Sequence, residues 1–397
     1  MLPVHLAFSW LGVGREGDGR LFVRSEIGPY VEGLADAFER VTVLVYDVPP
    51  TPVGAEDVAD YPVTRDNVRL LSLGPKGSWR DYLVRRKRVA EIVGEASSDW
   101  DVLLVRFDRR AHLVVDANRS KRTVAMVHGY SGAVAEPGLT LFDRLRLVPF
   151  AFRTRQQLRR IVRSSGLMVT DGEHYLAAYG RLADEAVIIR HSLRRKKWSY
   201  RSADRLDVPE PRFLFVGRLS TRKGIFETIE AFAKIRSALL PGAFLDVVGE
   251  GPELQAARAL AQKLDVADAV AFHGSIPPGD PLFAMYRSAD VLLFLSRSEA
   301  FPKVVSEALA HSVLVISTRV GALPLAFTSD EVMFVDPDPE RVAAAVGILL
   351  REPARRRAMM ERGRRWARST SLEEVVRALA AAIARRWPDI AGSKAQP

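Results

Sequence analysis

Short runs rich in valine, isoleucine and leucine alternate with longer amphipathic stretches from one end of the chain to the other. In the first half, residues 4–8, 41–46, 68–73, 102–106, 123–128, 167–170 and 186–190 have the length and β-branched content of buried strands. The series restarts after residue 211, with strands expected at 213–216, 243–248, 270–272, 291–295, 313–317 and 332–335. Helical patterns of about 10–17 residues fill most of the gaps, which is the rhythm of parallel sheets covered by helices on both faces. Residues 191–211 interrupt it: Arg194, Arg195, Lys196 and Lys197 make the stretch polar, and Pro209 and Pro211 end it. The expected fold is α/β, with two Rossmann-like domains (1–190 and 212–371) facing across a cleft and joined by a linker over 191–211. The last pattern, from Leu372, predicts a C-terminal helix and tail over 372–397 that returns to the first domain.

A length of 397 residues agrees with two cores rather than one. No apolar run reaches the roughly 18 residues of a membrane span. Residues 1–10 are apolar but lack a basic segment and a cleavage site, so they read as a first strand rather than a secretory signal. Cysteine is absent, which excludes disulfides and thiolate metal sites and fits a cytoplasmic setting. The net charge of +10 calls for an anionic partner. Residues 1–204 hold 32 basic and 25 acidic groups against 26 and 23 in the remainder, so the excess is mostly in the first half.

The candidate chemistry is concentrated in the second half. Gly217 and Arg218 follow the 213–216 strand, and Lys223 and Gly224 come five residues later. Two cations at the end of the first strand of an α/β domain suit a diphosphate, and a helix opening at Gly224 adds an N-terminus that favours anions. Taken alone, the pair reads as solvated loop cations. A second element changes the balance: Glu299, Phe301, Pro302, Lys303, Val304 and Glu307 lead from the 291–295 strand into a helix. Pro302 suits the first helical position, leaving backbone N–H groups free for phosphate. Glu307 falls about one and a half turns further on, among Val304, Val305, Ala308 and Leu309, where an acid is rarely idle. A buried carboxylate of this kind can grip the two hydroxyls of a ribose.

Gly217-Arg218 with Lys223-Gly224, the Glu299-x7-Glu307 spacing and the Gly249-Glu250-Gly251-Pro252-Glu253 turn resemble glycosyltransferase family 4, a retaining family with the GT-B fold. The resemblance covers about residues 211–325. It implies a sugar nucleotide as co-substrate, no separate cofactor and no metal. It gives the donor diphosphate to Arg218 and Lys223, the transferred sugar to Glu299 and the ribose to Glu307. Phe301, Lys303 and Val304 would offer backbone amides, while Gly249, Gly251 and His273 would lie near the base. His128, ending the 123–128 strand, would face the sugar as the second catalytic group. Ala300 and Pro302 stand where the family commonly has glycine, and Leu325 where it often has an acid, which leaves the donor open.

Gly12, Gly14 and Gly17 form a Gly-x-Gly-x-x-Gly run, but Asp18-Gly19 follows where a helix should start, so they read as a loop that could touch phosphate or acceptor. The Asp99/Asp101 and Asp336/Asp338 pairs are read as structural rather than metal-binding, and 355–368 as a solvated basic helix. Residues 141–163 carry seven arginines and one acid, interleaved with Leu145, Leu147, Phe150 and Phe152. They suit a solvated helix face or a peripheral contact with a membrane carrying a lipid-linked or otherwise anionic acceptor. The function expected is transfer of a glycosyl group from a nucleoside diphosphate sugar to an acceptor hydroxyl, possible in cell-envelope glycan or glycolipid synthesis. The alternatives are a GT-B-fold sugar-nucleotide epimerase or phosphorylase, and a basic nucleic-acid-binding protein. No nucleic-acid module is recognisable, so no nucleic-acid partner is expected.

Overall fold

The computed structural model describes residues 1–392 apart from 26, 52–57, 76–78, 109, 121, 129–140, 190–205, 207, 278 and 300. Most of the expected linker, and Ala300, therefore lie outside the described residues. Contacts divide the chain into two units: the described residues up to Ile189 join those from Leu372 onward, and the described residues from Leu206 to Ser371 form the second.

The first unit contains β1 (Leu2–Gly17), β2 (Arg20–Val23), α1 (Gly28–Ala37), β3 (Phe38–Asp47), β4 (Tyr61–Val63), β5 (Val68–Pro75), α2 (Trp79–Ala96) and β6 (Val102–Arg106). It continues through α3 (Ala111–Ala117), β7 (Thr123–Val127), α4 (Leu141–Arg163), β8 (Leu167–Thr170), α5 (Glu173–Tyr179) and β9 (Glu185–Ile188). Seven strands run parallel in the order β5-β3-β1-β6-β7-β8-β9. Alternation along β1 explains the two layers. Val4, Leu6 and Phe8 meet α1 and the C-terminal helix, while Ala7 faces the opposite layer with Leu103, Val105, Val93 and Leu158.

The glycine run corrects the reading from sequence. Gly12, Gly14 and Gly17 form no loop: they lie in β1, which runs on past its neighbour β6 into an antiparallel hairpin with β2. Gly14 pairs with Val23 and Gly17 with Arg20, so the turn is the two residues Asp18 and Gly19, both with positive φ (52° and 68°). Asp-Gly is a favoured two-residue hairpin turn because both positions tolerate that geometry. The hairpin, and β4 beyond it, decide the local structure more than the glycine spacing does.

The second unit contains β10 (Arg212–Val216), α6 (Ile225–Ala238), β11 (Phe244–Val248), α7 (Leu254–Lys263), β12 (Val270–Gly274), α8 (Asp280–Ser288) and β13 (Val291–Phe294). There follow α9 (Lys303–Ala310), β14 (Leu314–Ser317), α10 (Leu323–Ala326), β15 (Met333–Phe334), α11 (Pro339–Arg351) and α12 (Pro353–Ser369). All six strands are parallel, in the order β12-β11-β10-β13-β14-β15. The chain winds outward one way from β10, then returns to β13 beside β10 and winds the other way. The loops leaving β10 and β13 therefore diverge at one place on the carboxyl edge, where open α/β sheets hold ligands.

The chain closes with α13 (Leu372–Arg386) and α14 (Pro388–Gly392) in the first unit, where Leu372, Val376, Leu379 and Ile383 pack with Val31 and Leu34 of α1. The basic stretch 355–368 is not uniformly solvated: Arg356 is 1% exposed, and its Nη1 donates to the Leu349 and Leu350 carbonyls at 2.7 and 3.1 Å. Asp338 caps α11, accepting from the Arg341 N–H at 2.9 Å, and Asp101 accepts from the His5 N–H at 2.8 Å. Among the described residues, no group of three His, Cys, Asp or Glu side chains is placed to hold a metal ion.

Candidate functional site

The two loops at the branch of the second sheet are stitched together. The Arg222 carbonyl accepts from the Arg297 N–H at 2.9 Å and from Ser296 Oγ at 3.3 Å. Across this seam Lys223 Nζ donates to Glu299 Oε1 at 2.5 Å, and Ser296 Oγ donates to the same oxygen at 2.7 Å. The side chains of Lys223 and Glu299 are only 21% and 12% exposed, so removing either would leave its partner's charge without a counter-charge in a largely desolvated place. The sequence assigned them to separate groups of one ligand, and the structure joins them directly. A ligand phosphate approaching Lys223 therefore meets a cation already shared with a carboxylate.

Backbone contact holds the β11 loop against the same seam. Gly217 N–H donates to the Val248 carbonyl at 3.0 Å, Leu219 N–H to that of Glu250 at 2.9 Å, and Gly249 N–H to that of Gly274 at 2.7 Å. Gly249 has φ +137°, and a Cβ built there would stand 1.9 Å from the Gly217 carbonyl oxygen. Gly224, at φ +74°, would bring a Cβ to 2.2 Å from the Leu295 carbonyl oxygen. Two positions where only glycine fits thus set the spacing of the loops that follow β10, β11 and β13. Gly251 packs in the same way on Leu219.

Beyond the seam, α9 begins at Lys303, with Pro302 as its N-cap rather than its first residue. The shift is one position and leaves the argument intact: Lys303 and Val304 carry first-turn N–H groups without helical acceptors. Phe301 is held at 6.3 Å from the Phe327 ring and 6.2 Å from Trp366 of α12, so the loop containing Glu299 rests on aromatic packing. Arg218 is exposed and forms no ion pair among the described residues. His273 is not gathered with the others through its ring, because its Nε2 meets Asp246 Oδ1 at 2.7 Å while Arg212 holds the other oxygen. His128 follows β7 in the first unit, half-buried.

Glu307 accepts from the Tyr286 hydroxyl at 2.8 Å. His311 stacks on Tyr286 at 5.6 Å, which fixes that hydroxyl from behind. Burial pushes the Glu307 carboxyl above its ordinary range, against the opposing effects of the Tyr286 hydrogen bond and the Lys303 charge. The folded chain therefore holds the Glu307 proton more tightly than the unfolded chain does. That contribution to stability is largest below the ordinary carboxylate pKa and shrinks as pH rises to the raised value. Glu307→Gln removes the pH-dependent cost and still offers Tyr286 an acceptor. The melting-temperature difference between variant and parent should therefore move in the variant's favour between about pH 4 and pH 7. A flat difference across that range would show that Glu307 is not held in a desolvated place.

Tyr286, Ser296 and the Glu227–Arg297 ion pair were not legible as site residues. Ser296 directly follows a predicted strand, a position that could have flagged it, whereas Tyr286 reaches Glu307 from another helix and leaves no local pattern.

Residues 196–366 match the family described as Glycosyl transferases group 1. The chain is 39% identical over 165 residues to a D-inositol 3-phosphate glycosyltransferase of Segniliparus rotundus, covering 40% of this chain and 36% of that protein. It is 32% identical over 293 residues to the corresponding protein of Acidothermus cellulolyticus, covering 68% and 60%. The chain thus spans less than two thirds of the length of either curated relative. Its fold is that of Anabaena HepE, whose structure was solved with UDP, at a TM-score of 0.67 and 14% identity over 96% of this chain and 100% of that one.

Proposed function

We propose that this chain, whose residues 196–366 match the group 1 glycosyl transferases, transfers a glycosyl group from a nucleoside diphosphate sugar to an acceptor hydroxyl, with retention. The observation that carries the proposal is the Lys223–Glu299 pair at the branch point of the second sheet, beside the N-terminus of α9. Negative charge grows on the departing diphosphate during transfer. Lys223 and the first N–H groups of α9 are a cation and dipoles fixed in advance at that place, with the exposed Arg218 on the same β10 loop as Lys223, an arrangement that stabilises a developing anion. Glu299, sharing Lys223, lies against the transferred sugar, and Glu307 with Tyr286 accepts the ribose hydroxyls. The diphosphate is neutralised without a metal.

A melting screen of UDP-, GDP- and ADP-sugars in excess EDTA tests this reading. One nucleotide should raise the melting temperature, and transfer should proceed with the chelator present. Arg218→Ala should weaken that nucleotide by about 1.5–3 kcal/mol, the cost of a charged hydrogen bond. Loss of transfer in EDTA, restored by manganese or magnesium, would refute the metal-free part. No stabilisation by any nucleotide would refute the donor site.

The acceptor is anionic and is met at a membrane surface. Val148 and Phe152 of α4 are 49% and 61% exposed, with Arg153, Arg155 and Arg159 beside them on the outer face. The other face of this helix packs Ala151, Leu158, Ile161 and Val162 inward, and Arg160 is paired with Asp116. No described helix is long and apolar enough to cross a bilayer, so the contact is peripheral. Sedimentation with anionic vesicles should bring down the chain, and Arg153→Ser with Arg155→Ser and Arg159→Ser should release it. No sedimentation at low salt would leave an acceptor free in water.

A further inference from the structure

The last strand of the second sheet borders a pocket that the donor chemistry does not use. β15 pairs with β14 alone, so its other side is a sheet edge, and α11 runs beside it. Val342, Val346 and Leu349 of α11 turn inward to the core shared with Ile229 and Phe232 of α6. The neighbouring stripe of the same helix, Ala344 and Ile348 one turn apart, lines the pocket with Met333, Phe334 and Val335. The hollow is about 380 Å³, within the range of small-molecule sites. It stays open because alanine stands at 344 and 345, where a larger side chain would fill it. Ala344 is exposed, and Phe334, Val335 and Ile348 are half-buried, so apolar surface is left in water.

Charge decides what suits this surface. Asp336 and Arg341 line the pocket as an ion pair and neutralise each other. Glu340 is held by Lys234 at 2.7 Å, and Arg355, which reaches Met333 Sδ, is held by Glu352 at 3.1 Å. Arg319, two residues beyond β14, is different. Its guanidinium lies 4.8 Å from the centre of the Phe334 ring and forms no ion pair among the described residues. The pocket thus carries one uncompensated cation above aliphatic walls. Stacking on Phe334 orients that cation, and a single planar N–H fork matches the two oxygens of a carboxylate. With Arg319 over Phe334, the surface left for the rest of the ligand is mainly Met333, Val335, Ala344 and Ile348, which suits a chain better than a ring.

We propose that Arg319, Phe334 and the α11 stripe at Ala344 and Ile348 form a binding site for an aliphatic carboxylate. The site stands on its own geometry and does not depend on the donor reading.

The test uses the full chain, with octanoate, 1-octanol, octylamine and phenylpropionate as probes and melting followed at constant ionic strength. Octanoate should raise the melting temperature saturably, 1-octanol should bind at least about tenfold more weakly, and octylamine should have no effect. Arg319→Gln, at an exposed position, should reduce octanoate to the level of 1-octanol. Ala344→Leu keeps a good helix former and fills the hollow, so it should abolish the octanoate response while the unliganded protein melts close to the parent. An absent or unsaturable response, one equal for octanoate and 1-octanol, or one that survives both substitutions overturns the proposal. The probe comparison on the parent chain decides even where a variant fails to fold. Phenylpropionate binding tighter than octanoate overturns the aliphatic assignment. A response lost with Arg218→Ala and Lys223→Ala but kept in Arg319→Gln overturns the site too, while leaving the donor reading in place.

Discussion

Gly249→Ala should cost the second unit a large share of its stability. The added Cβ would sit 1.9 Å from the Gly217 carbonyl oxygen, which is backbone and cannot swing aside. At φ +137° an L side chain is also strained in itself, by about 1–3 kcal/mol. Relief requires the β10 and β11 loops to part, which breaks the Gly217–Val248 and Gly249–Gly274 hydrogen bonds together. A loss of about 3 kcal/mol or more is expected, against a total of about 5–15 for a domain. That corresponds to a fall of roughly 10 °C in melting temperature for a unit of this size. Gly392→Ala, where a Cβ meets nothing within 4 Å, is the control and should be near neutral. Calorimetric melting of both variants decides the matter, and a Gly249→Ala protein melting within 2–3 °C of the parent would show that the loops can separate cheaply.

The second large effect is on turnover. Glu299→Gln keeps an oxygen for Lys223 Nζ and Ser296 Oγ, so the seam stays closed while the charge is lost. If Glu299 lies against the reacting sugar, transfer should slow by about 10²-fold or more, the usual cost of removing one fixed electrostatic group. Affinity for the nucleoside diphosphate should hold or improve, because Lys223 no longer divides its charge between a carboxylate and phosphate. Lys223→Ala predicts the reverse, since it leaves the Glu299 carboxylate facing an anion. Single-turnover rates and calorimetric affinities separate the two outcomes. Parent-like turnover in Glu299→Gln would remove Glu299 from the reaction. Equal affinity losses in both variants would mean the pair is only a brace.

The second unit was legible because its elements are local. Each strand of that sheet is a short buried run bounded by loop residues, and the glycines and charges that matter stand within ten residues of a strand end. The first unit was less so, for one particular reason. Asp18-Gly19 is a strong hairpin signal, but the run from Gly12 to Gly17 imitates a phosphate loop, and the hairpin partner β2 is only four residues long. Pairings that cross the fold were hidden. Nothing in spacing connects Tyr286 with Glu307, or Trp366 with Phe301, because the first contact joins two helices and the second a loop and a helix far apart in the chain. Lys223 and Glu299 were both singled out, but not their pairing. That follows only from β10 and β13 being neighbours, a matter of strand order rather than sequence. Arg356 reads as one more basic residue in a basic stretch until the carbonyls ending α11 are seen to take its N–H groups.

The placement of α13 bears on the order in which the chain can mature. The first sheet leaves the ribosome before the second unit, yet the helix that covers Val31 and Leu34 is made after it. Trp387 packs on Gly166, Arg385 bridges to Glu185 and Arg122 to Asp389, so the closing residues fasten the far edge of the sheet as well. Throughout synthesis of the second unit, the first carries an open apolar face, and a chain stopped at Ser371 never closes it. Of the two units, the one made first is the last to be finished.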